Sequence, residues 1–178
     1  MELETYEVVM DLILQRYVQL KETNANEPAT GELLSDYLRC CFILGSDTEK
    51  YVKEGEEWLK KGRGADLRLP EVMTFKAAFL AMNASYTKNP ISKFTKVNRA
   101  LNQIDRLEKE YVDQLVVQFV ILAVVSKLPA VFARRNQVKR LAYRVNALLD
   151  QPDFQSLNEY WTEFAIDFMI RNGLRKNT

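Results

Sequence analysis

The sequence predicts an all-α protein, and three observations carry that expectation. Apolar residues recur at spacings of three and four through most of the chain, the period of a helix with one buried face. No stretch shows the strict apolar–polar alternation of a half-buried strand. The 6 glycines and 5 prolines fall mostly between the periodic stretches, where they act as punctuation.

The elements follow in order. Leu3, Tyr6, Met10, Ile13, Tyr17 and Leu20 form the stripe of a first helix that stops near Asn24, before Pro28. Leu34, Tyr37, Leu38, Cys41 and Leu44 form a second, ended by Gly45. Ser46-Asp47-Thr48-Glu49 reads as a capping box opening a third helix, which carries Val52, Trp58 and Leu59 and ends at Gly62 or Gly64. Pro70 suits the first turn of a fourth, with Val72, Phe75, Phe79, Met82 and Tyr86 as its stripe. Asn89 as cap and Pro90 at the first helical position start a fifth, with the stripe Phe94, Val97, Leu101 and Ile104.

Asp113 is placed to cap a sixth helix over Leu115 to Lys127. The stretch LVVQFVILAVVSKLPAVF, Leu115–Phe132, is the most apolar in the chain. A membrane span needs about 20 predominantly apolar residues. The uninterrupted run here is only Phe119 to Val125, and Pro129 breaks the helix soon after. The expectation is therefore a helix buried on nearly all sides, the most buried of the protein. Val138, Leu141, Val145 and Leu148 form a seventh helix. After a turn at Asp150-Gln151-Pro152-Asp153, Leu157, Trp161, Phe164 and Phe168 form an eighth, closed by Asn172-Gly173. At 178 residues this makes one domain over 1–178, long enough to bury about 70% of its unfolded surface.

A weak internal repeat runs through these helices. Shifting the chain by 44 residues sets Val72 on Val116 and Phe75 on Phe119, and lays the stripe of the fifth helix on that of the seventh. Three hairpins result, roughly 31–62, 69–108 and 113–150, flanked by helices over 2–23 and 153–172. Helix-turn-helix units such as ELLSDYLRCCFILGSDTEKYVKEGEEWLKKG, with the small residues Ala77, Ala78, Ala81 and Ala123 inside first helices, make residues 31–150 resemble a tetratricopeptide (TPR)-like helical repeat. SYTKNPISKF and SKLPAVFARRN look like lengthened turns between the paired helices. The resemblance implies about eight antiparallel helices in a right-handed superhelix, binding proteins or peptides along its concave side.

The chain has no histidine, which removes Ser-His and Cys-His nucleophile pairs and the usual zinc and di-iron ligand sets. It has no GxxxxGK[ST] or GxGxxG loop. The carboxylate pairs Glu56-Glu57 and Glu108/Glu110 stand beside lysines, as solvated helix faces do. Cys40 and Cys41 are adjacent, a spacing too strained for a bridge, and Cys41 falls on an apolar face, so reduced core thiols are expected. The N-terminal MELETYEVVMDL is acidic where a signal peptide is basic. The reading is a soluble, cytoplasmic, cofactor-free protein that is not an enzyme.

Charge supplies the one surface signal. Residues 1–66 carry 8 Lys/Arg and 14 Asp/Glu, whereas residues 67–178 carry 17 and 10. Such halves can attract each other or offer a basic surface to an acidic partner. Between Lys88 and Arg144 there are 12 Lys/Arg against 4 Asp/Glu. Arg135/Lys139 and Arg140/Arg144 are i,i+4 pairs, and Lys96 and Arg99 lie on the equivalent helix of the preceding hairpin. Lys96, Arg99, Arg135, Lys139 and Arg140 are thus the candidate partner-binding residues. The expected function is non-catalytic protein–protein interaction as a scaffold or adaptor, with an acidic protein or peptide as partner. Nucleic acid is disfavoured by the near-neutral charge, and homo-oligomerisation stays open. The alternative is a helical regulatory domain holding a small molecule or acidic ligand between its helices, with Phe75, Phe79 and Phe119 as one place for a pocket. An enzyme using Lys, Tyr or Asp alone ranks third.

Overall fold

Among the described residues, eight helices form where the apolar periodicity puts them: α1 (Leu3–Thr23), α2 (Gly31–Leu44), α3 (Glu49–Lys61), α4 (Pro70–Tyr86), α5 (Pro90–Glu110), α6 (Leu115–Ser126), α7 (Arg135–Leu149) and α8 (Glu159–Arg171). Short 3-10 turns lie at Asp66–Arg68 and Ala130–Phe132. The computed structural model describes residues 3–23, 30–62, 64–151 and 159–175, and no strand occurs among them. Asn24, Pro28, Pro152, Asp153, Leu157 and the side chains of Leu3 and Tyr6 lie outside the described residues. Among the described residues no helix is long and apolar enough to cross a membrane.

Local chemistry explains several of the boundaries. Pro70 and Pro90 occupy the first turns of α4 and α5, and the Asn89 side chain accepts from the backbone N–H groups of Ile91 and Ser92. α8 ends with Gly173 at a positive φ of 66°, and the N–H of Leu174 reaches back to the Met169 carbonyl at 2.8 Å. Two expected caps are corrected. The Ser46 hydroxyl donates to the Ile43 carbonyl at 2.8 Å, so it finishes α2, and Thr48 stands at the start of α3. Asp113 sits in a turn ahead of α6, and Gln114 takes the cap position. The Ser46 hydroxyl is thus spent on a carbonyl of the preceding turn, a local bond that competes with capping.

Consecutive helices pack as hairpins: α2 on α3, α4 on α5, and α6 on α7. The first helix of each hairpin also packs on the next, α2 on α4 and α4 on α6, making an inner row. In the outer row α5 and α7 meet through long side chains, as when Gln137 Nε2 donates to Glu108 Oε2 at 2.6 Å. α3 approaches α4 closely because Gly55 has no side chain: a Cβ there would lie 2.6 Å from the Phe79 ring. α1 packs beside α2 at one end, and α8 touches both α1 and α7.

Every residue of α6 from Leu115 to Val125 is buried, as its apolar run requires. Among the described residues α6 is the most buried helix, as expected, with only Ser126 outside the buried set; α2 comes next, buried from Leu34 to Leu44 despite Asp36 and Arg39. A buried charge is tolerated when paired. Asp36 accepts from Arg16, 2.7 Å to Nη2, and from the Tyr160 hydroxyl. Arg39 reaches Glu71 Oε2 at 2.6 Å and lies over the Trp161 ring.

Candidate functional site

Three cations of the cluster, Arg134, Arg140 and Arg144, are paired by carboxylates of their own half. Glu108, buried rather than on a solvated face as the sequence suggested, accepts from Arg140 Nε at 3.0 Å, with Arg144 Nη1 3.7 Å away. Arg134 pairs with Asp105. Arg144 also donates to Gln118 Oε1 at 2.8 Å, and Gln118 donates to the carbonyls of Glu108 and Tyr111 that end α5. That is why a glutamine can begin the most apolar run of the chain. None of the described ion pairs joins a carboxylate of residues 1–66 to a cation of residues 67–178.

The five candidate cations fall in three settings. Lys96 Nζ donates to Asn83 Oδ1 at 3.0 Å and Thr87 Oγ1 at 2.9 Å, holding the end of α4 to α5. Arg140 is committed to Glu108. Arg99, Arg135 and Lys139 are exposed. Arg99 lies nine residues from Glu108 on α5, two and a half turns, and so on the side away from α7. Arg135 and Lys139 share one face of α7. The structure therefore leaves Arg135 and Lys139 together and separates them from Arg99.

Beside this face lies an apolar edge that the sequence did not disclose. Phe94, expected in the buried stripe of α5, is 53% exposed, and its ring stands 5.2 Å from that of Phe132. Ile91 and Val131 are 79% and 77% exposed. The first turn of α5 and the Ala130–Phe132 turn thus carry aliphatic and aromatic side chains into solvent, next to Arg134 and Arg135. The lengthened turns of these two hairpins were the only sequence signal.

The inner row is covered. Trp161, Phe164 and Phe168 of α8 fall at i, i+3 and i+7, the anchor spacing of a helix seated in a groove. Trp161 meets Phe75 and Phe119 with ring centroids 6.3 and 5.4 Å apart. The pocket expected at Phe75, Phe79 and Phe119 is therefore corrected: the three rings are fully buried, and Trp161 packs against two of them. A cavity of about 660 Å³ opens further along, where α2, α4 and α6 end.

Titration follows packing. Burial and the neighbouring Asp36 push the Cys40 thiol up to about 12, and burial likewise raises Cys41, so both stay protonated and poorly nucleophilic. Burial opposes ionisation of Glu54, but hydrogen bonds from Lys21 and Tyr17 outweigh it and hold the carboxyl below its ordinary value. This cluster ties α1 to α3, with Lys21 Nζ 2.6 Å from Glu54 Oε1.

No protein-family model, curated protein or solved structure matches the chain. Function rests on the residues themselves.

Proposed function

We propose that the chain is a non-catalytic protein–protein interaction module of TPR-like helical-repeat type, an adaptor for an acidic partner. The observation that carries this reading is the exposed edge of Ile91, Phe94 and Val131 beside Arg135 and Lys139. Aromatic and arginine side chains dominate binding energy at interfaces, and a contiguous exposed apolar patch marks an interaction site. The cations would steer an acidic surface towards it. The concave mode implied by the repeat resemblance is less favoured, because α8 lies on the inner row. The two buried thiols support a reducing compartment, the cytoplasm.

The test is affinity capture from native lysate with the immobilised full chain, run beside Phe94→Ser and Arg135→Glu/Lys139→Glu. A partner held by the edge is lost from both variants and fades between about 0.1 and 1 M salt, as the Debye length shrinks from about 10 to 3 Å. A partner retained by both variants overturns the assignment of the edge.

A further inference from the structure

The 660 Å³ cavity is independent of the exposed edge and has a different chemistry. Its size falls within the range of about 300–1,000 Å³ that small-ligand sites occupy. Phe42, Met82, Ala123, Val124, Phe164 and Phe168 form its walls. Five of these six keep 7–8% exposure, whereas the layer beneath them, Phe75, Phe79, Phe119 and Trp161, has none. Solvent-accessible space thus penetrates the inner row at this place and meets an apolar wall, where water finds few hydrogen-bond partners.

The mouth is polar and cationic. α2, α4 and α6 all end there, and helix C-termini carry partial negative charge. That charge is blunted at each end by a serine: the hydroxyls of Ser46, Ser85 and Ser126 donate to the carbonyls of Ile43, Met82 and Ala123 at 2.8, 2.6 and 3.0 Å. Against these spent carbonyls stand two full positive charges. Lys127 Nζ donates to the neutral Asn172 Oδ1 at 2.9 Å, and half-buried Lys93 has no hydrogen-bond or ion-pair partner among the described residues. Arg171 is paired with Asp167, and Asp47 is the one carboxylate in the lining.

We propose that this cavity binds a single-chain amphiphile with an anionic head, a long-chain carboxylate. Its tail lies between the walls of α2, α4, α6 and α8, and its carboxylate meets Lys93 and Lys127. The head group is satisfied by ammonium donors and the tail replaces poorly bonded water, so each half of the ligand matches the part of the site it touches.

The test is a fluorescence titration of the full chain with 11-(dansylamino)undecanoic acid, followed by displacement with laurate or dodecylamine below their micellar concentrations. The proposal expects saturation at one probe per chain, with laurate displacing it at least about tenfold more effectively than dodecylamine. Lys93→Glu/Lys127→Glu should weaken laurate by about tenfold or more and shift the preference towards the amine, with an unchanged thermal melt. Ala81→Phe, which fills the cavity from its half-exposed wall, should abolish probe binding while circular dichroism stays helical. Absence of saturable binding, equal displacement by the amine, or a laurate affinity untouched by the lysine pair each overturns the proposal. None of these outcomes bears on Phe94 or Arg135, so this site and the interaction edge fail separately.

Discussion

Phe119 of α6 meets Trp161 of α8 edge-on, with ring centroids 5.4 Å apart and planes at 88°. Phe119 makes the same edge contact with Phe164 and Phe168. One ring on the inner row thus seats three aromatic anchors of the covering helix, a geometry that suits the ring quadrupole.

Phe119→Ala and Trp161→Ala should each destabilise the protein by about 3–5 kcal/mol, the range for truncating a buried aromatic. Because the two rings touch, the double variant should cost less than the sum. Urea unfolding followed by circular dichroism measures both. A loss under about 1 kcal/mol for Trp161→Ala would mean that α8 is not seated on the inner row.

Gly55→Ala tests the closeness of α3 and α4. Alanine ordinarily improves a helix interior by about 0.5–1 kcal/mol over glycine. Here its methyl would press on the Phe79 ring at 2.6 Å, and overpacking costs about 1–3 kcal/mol. The expected outcome is net destabilisation. Pairing it with Phe79→Leu should recover part of the loss in the same denaturation assay.

Glu108 and Arg140 form an unequal pair. Glu108 is buried and serves Gln137, Arg140 and Arg144, so Glu108→Ala leaves several donors facing one another and should cost about 1–3 kcal/mol. Arg140 is more than half exposed and can turn to water, so Arg140→Ala should cost about 0–1 kcal/mol. Equal losses in thermal melts of the two variants would contradict the burial of the carboxylate.

The Tyr17–Glu54–Lys21 cluster sets a pH window. Burial, reinforced by the bond to Glu54, pushes the Tyr17 phenol up to about 12 from its ordinary value of 10.0. The folded state therefore holds this proton more tightly, and its stabilising effect is complete below about pH 10 and lost as pH climbs towards 12. Lys21, raised by its bond to Glu54, acts in the same direction. Glu54 is lowered, so its contribution is present above about pH 4.5 and lost on acidification. Melting temperature should fall on acidification through about pH 4.5, and on the alkaline side from about pH 9, where the unfolded chain ionises Cys40 and Cys41 while their buried thiols stay protonated, and further as the tyrosines follow. Tyr17→Phe should make the alkaline fall shallower while leaving that of Tyr37 and Tyr160, whose phenols are also raised by burial.

The helices were legible because each signal was local. Pro70, Asn89 and Pro90 act on their own turn, and the 3.6-residue stripes report which face is buried. What was illegible depended on distant partners. Asp36 and Arg39 look like surface residues until Arg16, Tyr160 and Glu71 are seen to satisfy them. Phe94 fits the stripe of α5 by period, yet the helix begins beyond the edge of the core, so its ring is half exposed and stands against Phe132. The cation cluster misled for a related reason: composition counts charge, whereas Glu108 and Asp105 decide which cations are spent. The cavity at the ends of α2, α4 and α6 had no sequence signal, because it is made by where three helices stop.

An open stack of hairpins can fray from its ends, since each unit touches only its neighbours. Here the last helix touches both the first and the seventh, and Tyr160 reaches Asp36 across 124 residues of chain. That ring closure should make equilibrium unfolding a single cooperative transition. It also delays folding, because contacts this distant in sequence close slowly. During synthesis the inner row must wait for α8, and until then its aromatic floor is open to other nascent chains. The helix that completes the core is therefore also the step at which aggregation and folding compete.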